Sequence, residues 1–198
     1  MPETTLEQYF DQVWSQIETG VRQRKHGFHL GTIATSVDDF PEARIVVLRH
    51  ADPVTTELGF HTDFRVGKVS AMQTNPQVCW VFYCPRLMMQ VQMFGLAVIH
   101  HMDDLAKEKW DQALLLSKRC YLAPLAPGTL SDVATSGLPP ELEDREPTFE
   151  EAIPGFANFC VVRTKIQRIE MLHTIFTGYR RAEWRLTETG WDGTWKVP

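Results

Sequence analysis

The side chains with the most chemistry to offer fall between Arg44 and Gln92. RIVVLR (Arg44 to Arg49), FHTDFRVGK (Phe60 to Lys68), Asn75-Pro76 and QVQ (Gln90 to Gln92) set cations and amides at the ends of apolar, β-branched runs. Alternate side chains of a strand share a face, so Arg44, Val46 and Leu48 point one way and Ile45, Val47 and Arg49 the other. A guanidinium at the start of such a strand suits a phosphate, to which it donates two parallel hydrogen bonds. The backbone of Val46 and Val47 can lie flat against a ring system. Both arginines are read equally well as exposed strand ends.

Thr62 ends the next strand and offers a hydroxyl and an amide. Lys68 follows early in a helix, and helix N-termini collect anions through free N–H groups and the macrodipole. Arg65, one helical turn before Lys68, can reach the same anion. With Arg44 this gives two or three cations for one phosphate dianion; the alternative is an ordinary basic helix surface. Gln90 sits in a run of Met, Val and Phe, where a buried amide needs partners. A flat heterocycle edge with alternating donors and acceptors supplies them, as does a neighbouring loop.

Other chemistries find little support. His100 and His101 are adjacent and face opposite sides of a strand, so they cannot chelate one metal together. The remaining histidines show no HxH or HExxH spacing, and no metal is expected. No Ser/His/Asp arrangement stands out, and no side chain is assigned as acid or base; His61 is nearest by position. The four cysteines (Cys79, Cys84, Cys120, Cys160) form no CxxC pair and are expected to be free thiols in a reducing cytoplasm. A net charge of −5 without a basic run speaks against nucleic acid. No apolar stretch approaches the ~20 residues that span a bilayer, and the N-terminus lacks a secretion-signal pattern.

These residues need elements to position them. Residues 4 to 19 read as an amphipathic helix with capping-box spacing at Thr4 and Glu7 and a stop at Gly20. Strand patterns follow at 28–36, 43–50 and 57–63, the first two joined by a VDDFPE turn. A short helix over 65–74 ends at Asn75-Pro76. Strands are expected at 78–84 and 88–101, the second bending near Gly95. A helix from Asp103 to about Lys118 follows, with Leu105, Trp110, Leu114 and Leu115 inward. Strand patterns return at 156–163, 166–173, 181–186 and 191–197. Between them, residues 122–155 hold half of the twelve prolines and a strong acidic excess. A loop this long reads as a lid, an arm on a partner or a solvated insertion. The whole is expected to be one mainly β domain over 1–198, an antiparallel barrel with helical covers.

In order and spacing these motifs resemble the FMN site of the pyridoxamine 5'-phosphate oxidase-like split-barrel family. Arg44 matches the first arginine of its Arg-x-Val-x-Leu-Lys strand, Thr62 the threonine of Tyr-Thr-Asn, and Lys68 the helix lysine. Asn75-Pro76 matches its Asn-Pro and Gln90 its strand glutamine. Arg181 resembles the closing arginine. The resemblance implies an FMN-binding split barrel in which Arg44, the Ile45 to Val47 backbone, His61, Thr62, Arg65, Lys68, Gln90 and Arg181 hold the cofactor. It also implies a homodimer with the flavin at the subunit interface and a small-molecule substrate. His61 and Gly67 depart from the family's tyrosine and arginine, and Leu172 from its flavin-stacking aromatic. Arg49 replaces the lysine that touches the oxidase's substrate phosphate, and WDQALLL (Trp110 to Leu116) lacks the cation the oxidase takes from its central helix. The expected activity is an FMN-dependent oxidoreductase on another small organic molecule; the alternatives are a flavin-binding module without turnover and the oxidase itself.

Overall fold

The first helix, α1 (Leu6–Arg22), is capped by Thr5: its hydroxyl accepts from Gln8 N–H while Gln8 Oε1 accepts from Thr5 N–H. The box thus lies one residue beyond the expected Thr4/Glu7 pair, which overlaps it in sequence. Gly20 lies inside the helix and is not its stop; glycine is needed there because a Cβ would meet the Phe28 carbonyl at 2.6 Å. The structure is a computed structural model and describes residues 4–37 and 40–198. The Asp38-Asp39 part of the VDDFPE turn lies outside the described residues.

The other elements are β1 (Leu30–Val37), β2 (Phe40–Val47), β3 (His50–Asp52), β4 (Glu57–Asp63), α2 (Gly67–Thr74), β5 (Gln77–Cys84), β6 (Met89–His101), α3 (Asp104–Gln112), α4 (Leu115–Lys118), α5 (Phe149–Ala152), β7 (Phe159–Ile175), β8 (Gly178–Thr187) and β9 (Gly190–Lys196). The chain divides into two compact units.

The first unit comprises Met1–Phe60, Asn75–Val98 and Arg163–Pro198. It carries the sheet, in the order β2-β1-β5-β6-β7-β4-β3, with β8 on β7 and β9 on β8. The β1–β2, β1–β5, β5–β6, β7–β8 and β8–β9 ladders are antiparallel. Ile33 pairs with both Arg44 and Trp80, and Trp80 with Met93. Paired residues share a face, so these four mark one side of the ladder. Ile33, Trp80 and Met93 are fully buried, and the Trp80 indole N–H donates to Thr164 Oγ1 at 3.1 Å. α1 turns Val13, Trp14 and Ile17 inward, and its Phe10 ring packs on Trp184 and Trp191.

The second unit comprises His61–Thr74 and Ile99–Val162. Its core is Ala106, Trp110, Phe159 and Val161, with Tyr121 and Phe156 packed against them. The single helix expected from Asp103 to Lys118 is two. Ala113 is extended, and the Leu116 N–H bonds the Glu146 carboxylate at 2.8 Å instead of continuing the helical ladder. Leu114 is consequently exposed and not inward. The segment 122–155 folds into a 3₁₀ turn at Pro140–Leu142, α5, and the start of a second 3₁₀ turn, Ile153–Asn158. No helix among the described residues is long and apolar enough to cross a membrane.

Candidate functional site

Lys68 is the second residue of α2, and its ammonium donates to Thr62 Oγ1 at 3.0 Å. Thr62 is buried at the end of β4, and its carbonyl accepts a weak bond from the Cys160 thiol. Burial pushes the Cys160 thiol up to about 12, so it stays protonated near neutral pH. Hydroxyl and ammonium therefore meet beside the start of α2. That donor set matches a phosphate dianion: a compact charge, a neutral donor and oriented backbone dipoles. A Cβ at Gly67 would touch nothing within 4 Å, so the helix start is open. His61, one residue earlier, sets its ring edge-on against Phe159.

Arg65 lies in the turn before α2. Its Nε donates to Asp63 Oδ1 at 3.0 Å and its Nη2 to Asp63 Oδ2 at 2.7 Å. Nη2 and Nη1 also reach the carbonyls of Ala123 and Pro124, at 3.1 and 3.2 Å.

In the first unit, Arg44 is three-quarters covered. Its Nη1 donates to Thr35 Oγ1 at 2.7 Å and its Nη2 to Glu42 Oε2 at 2.6 Å. Val46 is buried behind it, whereas Ile45 turns outward and is 69 % exposed. Arg49 lies past the end of β2 with an exposed side chain. Gln90 is half-buried and pairs with Tyr83. Tyr83 is three residues from Trp80, and Gln90 three from Met93. Arg44 and Gln90 therefore lie on opposite faces of the β2-β1-β5-β6 ladder. On the Gln90 face, Phe94 carries the Arg168 guanidinium stacked at 3.7 Å. Arg168 pairs with Arg185, two positions from Glu183 and four from Arg181, so Arg181 shares the Gln90 face.

Sequence reasoning missed the polar network on that face. Arg168 bonds Glu170 at 2.5 Å, Arg181 bonds Glu170 at 3.1 Å, Arg185 bonds Glu183 at 2.6 Å and Lys196 bonds Glu183 at 2.9 Å. Across β7–β8, Arg opposes Arg and Glu opposes Glu. Like charges directly opposite repel, so the attraction comes from the same-strand pairs Arg168–Glu170 and Arg185–Glu183 and the diagonals Arg181–Glu170 and Lys196–Glu183. The i, i+2 charges at 168/170 and 181/183/185 were the available signal. A groove of about 630 Å³ opens there, lined in part by Cys79, Phe94, Leu96, Arg168 and Arg185.

His100 and His101 have separate partners, Asp103 Oδ2 and the Ala157 carbonyl. Among the described residues no three His, Cys, Asp or Glu side chains are placed to hold a metal. The four cysteines are unpaired.

Residues 6–101 match the sequence model for the FMN-binding domain of pyridoxamine 5'-phosphate oxidase. A pyridoxine/pyridoxamine 5'-phosphate oxidase of Leptospira interrogans is 34 % identical over 87 residues, 43 % of this chain and 39 % of the relative. The chain thus spans about two fifths of the length of the curated relatives it matches. A pyridoxamine 5'-phosphate oxidase-related, FMN-binding protein of Nostoc punctiforme superposes with a TM-score of 0.73 at 19 % identity, covering 99 % of this chain and all of that one. PhzG of Burkholderia lata, solved with tetrahydrophenazine-1-carboxylic acid, gives 0.72 at 14 % identity, covering 100 % and 94 %. At those identities the likeness concerns the fold, which is the mainly antiparallel split barrel.

Proposed function

Since the chain belongs to the pyridoxamine 5'-phosphate oxidase-like split-barrel family, we propose that it binds FMN and acts as an FMN-dependent oxidoreductase on a small organic molecule. The carrying observation is the Lys68–Thr62 pair at the open start of α2, inside the segment that matches an FMN-binding domain. Bound FMN would supply the redox chemistry; the protein supplies binding and electrostatics. Lys68, Thr62 and the α2 amides hold the phosphate; the family pattern assigns Arg44 and the Ile45 to Val47 backbone to the same cofactor. Gln90 and Arg181 serve the ring. Reduction of the FMN-loaded protein by a nicotinamide, followed as bleaching of the flavin's visible absorbance, separates this reading from a flavin carrier without turnover. A flavin that stays oxidised under reductant and candidate substrates favours the carrier.

The active unit in this reading is a cytoplasmic homodimer with the flavin between subunits. Two observations support it. Arg44 and Gln90 face opposite sides of one ladder, so a ligand on both needs two copies. Leu30, Ile45, Tyr83, Leu96 and Val98 are also exposed together on the Gln90 face, and such apolar patches mark interfaces. Isologous dimers are the commonest oligomers. Ile45→Asp should therefore convert a sedimenting dimer into monomer and weaken FMN binding at least tenfold, the ~1.4 kcal/mol equivalent of losing the partner's contacts. A monomeric wild type that retains FMN overturns this part.

A second reading, the pyridoxamine phosphate oxidase itself, is favoured by the Leptospira relative. Against it stands the substrate side. Trp110 is buried in the second unit's core, and Lys118, the first cation past WDQALLL, is buried over the Trp110 and Phe149 rings. A substrate phosphate without cations suffers desolvation of several kcal/mol. Pyridoxamine and pyridoxine phosphate should turn over far below ~1 per second, and a rate at or above that reassigns Arg49 as a phosphate ligand.

A further inference from the structure

We propose that Arg65 is a positioning residue: it fastens the root of the acidic arm to Asp63 and cancels that carboxylate beside Thr62, leaving the anion to Thr62 and Lys68. The affinity half of this rests on the FMN reading; the fastening half does not.

A guanidinium has five N–H donors. Four are committed: two to the Asp63 carboxylate in a fork, one to the Ala123 carbonyl and one to the Pro124 carbonyl. Asp63 also accepts the Arg65 backbone N–H at 2.8 Å, which pins the turn. The Asp63 side chain is only 7 % exposed, and a carboxylate so buried needs a paired cation. It directly follows Thr62 in β4. Unpaired, its negative charge would oppose a phosphate held by its neighbour. Arg65 is thus spent on Asp63 and the arm, whereas Lys68 points its ammonium at the Thr62 hydroxyl.

Two arginines bracket the stretch 123–145 of the arm. Arg119 donates to the carbonyls of Leu142, Glu143 and Arg145, at 3.3, 2.8 and 3.2 Å. Arg65 takes the other end at residues 123 and 124. Between them, Leu125, Leu130 and Val133 are exposed. The Arg65 end is attached to the turn that carries Asp63 and leads into α2, a turn that Phe64 N–H also ties to the Asn158 carbonyl at 2.7 Å. Arm root and anion site therefore share one ion pair, and disturbing either one should be felt at the other.

The test uses the full chain with Arg65→Ala, Arg65→Lys, Asp63→Asn and the Asp63→Asn/Arg65→Ala double variant. Amide hydrogen exchange at Thr129, whose N–H donates to the Ala126 carbonyl at the arm root, is measured without ligand, and FMN affinity by flavin fluorescence. Arg65→Ala should speed exchange at the arm root by about tenfold or more, through local opening. It should also weaken FMN, and the double variant should recover to within about threefold of wild type, because no uncompensated carboxylate remains. Arg65→Lys should keep most of the affinity while the root still loosens, since lysine has no fork. A double variant as weak as Arg65→Ala makes Arg65 a direct phosphate ligand and overturns the proposal. Unchanged exchange at the root in Arg65→Ala overturns it as well. If wild type binds no FMN, the flavin reading fails separately, and the exchange data still decide the fastening.

Discussion

Lys68→Ala is expected to weaken FMN binding by roughly 10- to 100-fold while leaving the fold intact. A hydrogen bond to a charged group contributes about 1.5–3 kcal/mol, and each ~1.4 kcal/mol is a factor of ten. The loss should shrink as salt is raised, because an exposed anion is screened. Arg44→Ala should act in the same direction, at the lower end of the range. Thr35 and Glu42 already hold its guanidinium, so part of its hydrogen-bonding is internal. Fluorescence titration of both variants reads the effect. Affinity unchanged in Lys68→Ala would move the phosphate away from the start of α2.

Glu183→Gln is expected to cost about 1–3 kcal/mol of stability, the usual contribution of hydrogen bonds to a charged group, because the cations left behind, Arg185 and Lys196, are exposed enough to stay hydrated. Glu183 is 5 % exposed and bonds Lys196 and Arg185. Its loss leaves Arg168, Arg181, Arg185 and Lys196 facing Glu170 as the remaining carboxylate of the network. At ~2–4 °C per kcal/mol for a chain of this size, Tm should fall by roughly 2–12 °C. The bond from Lys196, then that from Arg185, hold Glu183 down at about 2 against the opposing cost of burial, below the ordinary 4.5. A lowered carboxylate stabilises the fold fully above its ordinary value, and that stability is lost as pH falls from 4.5 toward 2. Wild type should therefore lose more Tm than Glu183→Gln across that window. A variant melting within about 1 °C of wild type at pH 7 would mean that the network contributes nothing net.

How much of this was legible in sequence depended on the kind of signal. β4 was legible to the residue: Glu57–Asp63 is the expected strand, in which Leu58 and Phe60 alternate with Glu57, Gly59 and His61. Lys68 beside Thr62 followed from strand end, short turn and helix start. The expected strands at 156–163 and 166–173 are one strand, β7. Thr164-Lys165 was the gap between them, yet Thr164 accepts the Trp80 indole N–H and the Lys165 ammonium bonds the Thr55 carbonyl. Polar residues satisfied by distant partners cannot be told from a turn in one dimension. The same holds for Arg65 and Arg119, whose carbonyl partners lie tens of residues away. Charge type alone suggested an anion for Arg65. β3 was too short to leave a periodic signal. The opposite faces of Arg44 and Gln90 needed the register of three ladders, which no local pattern encodes.

The central claim is that this chain holds FMN through a site built for a terminal phosphate. Titration of the flavin-free wild-type protein with FMN and, in parallel, with FAD tests it most directly. FAD joins that phosphate to AMP through an anhydride, so it loses one charge and presents a bulky nucleotide to the start of α2. The expected result is saturable FMN binding at ~10 μM or tighter, with FAD at least about tenfold weaker. No saturable FMN binding up to ~1 mM, or equal affinity for both flavins, would contradict the account.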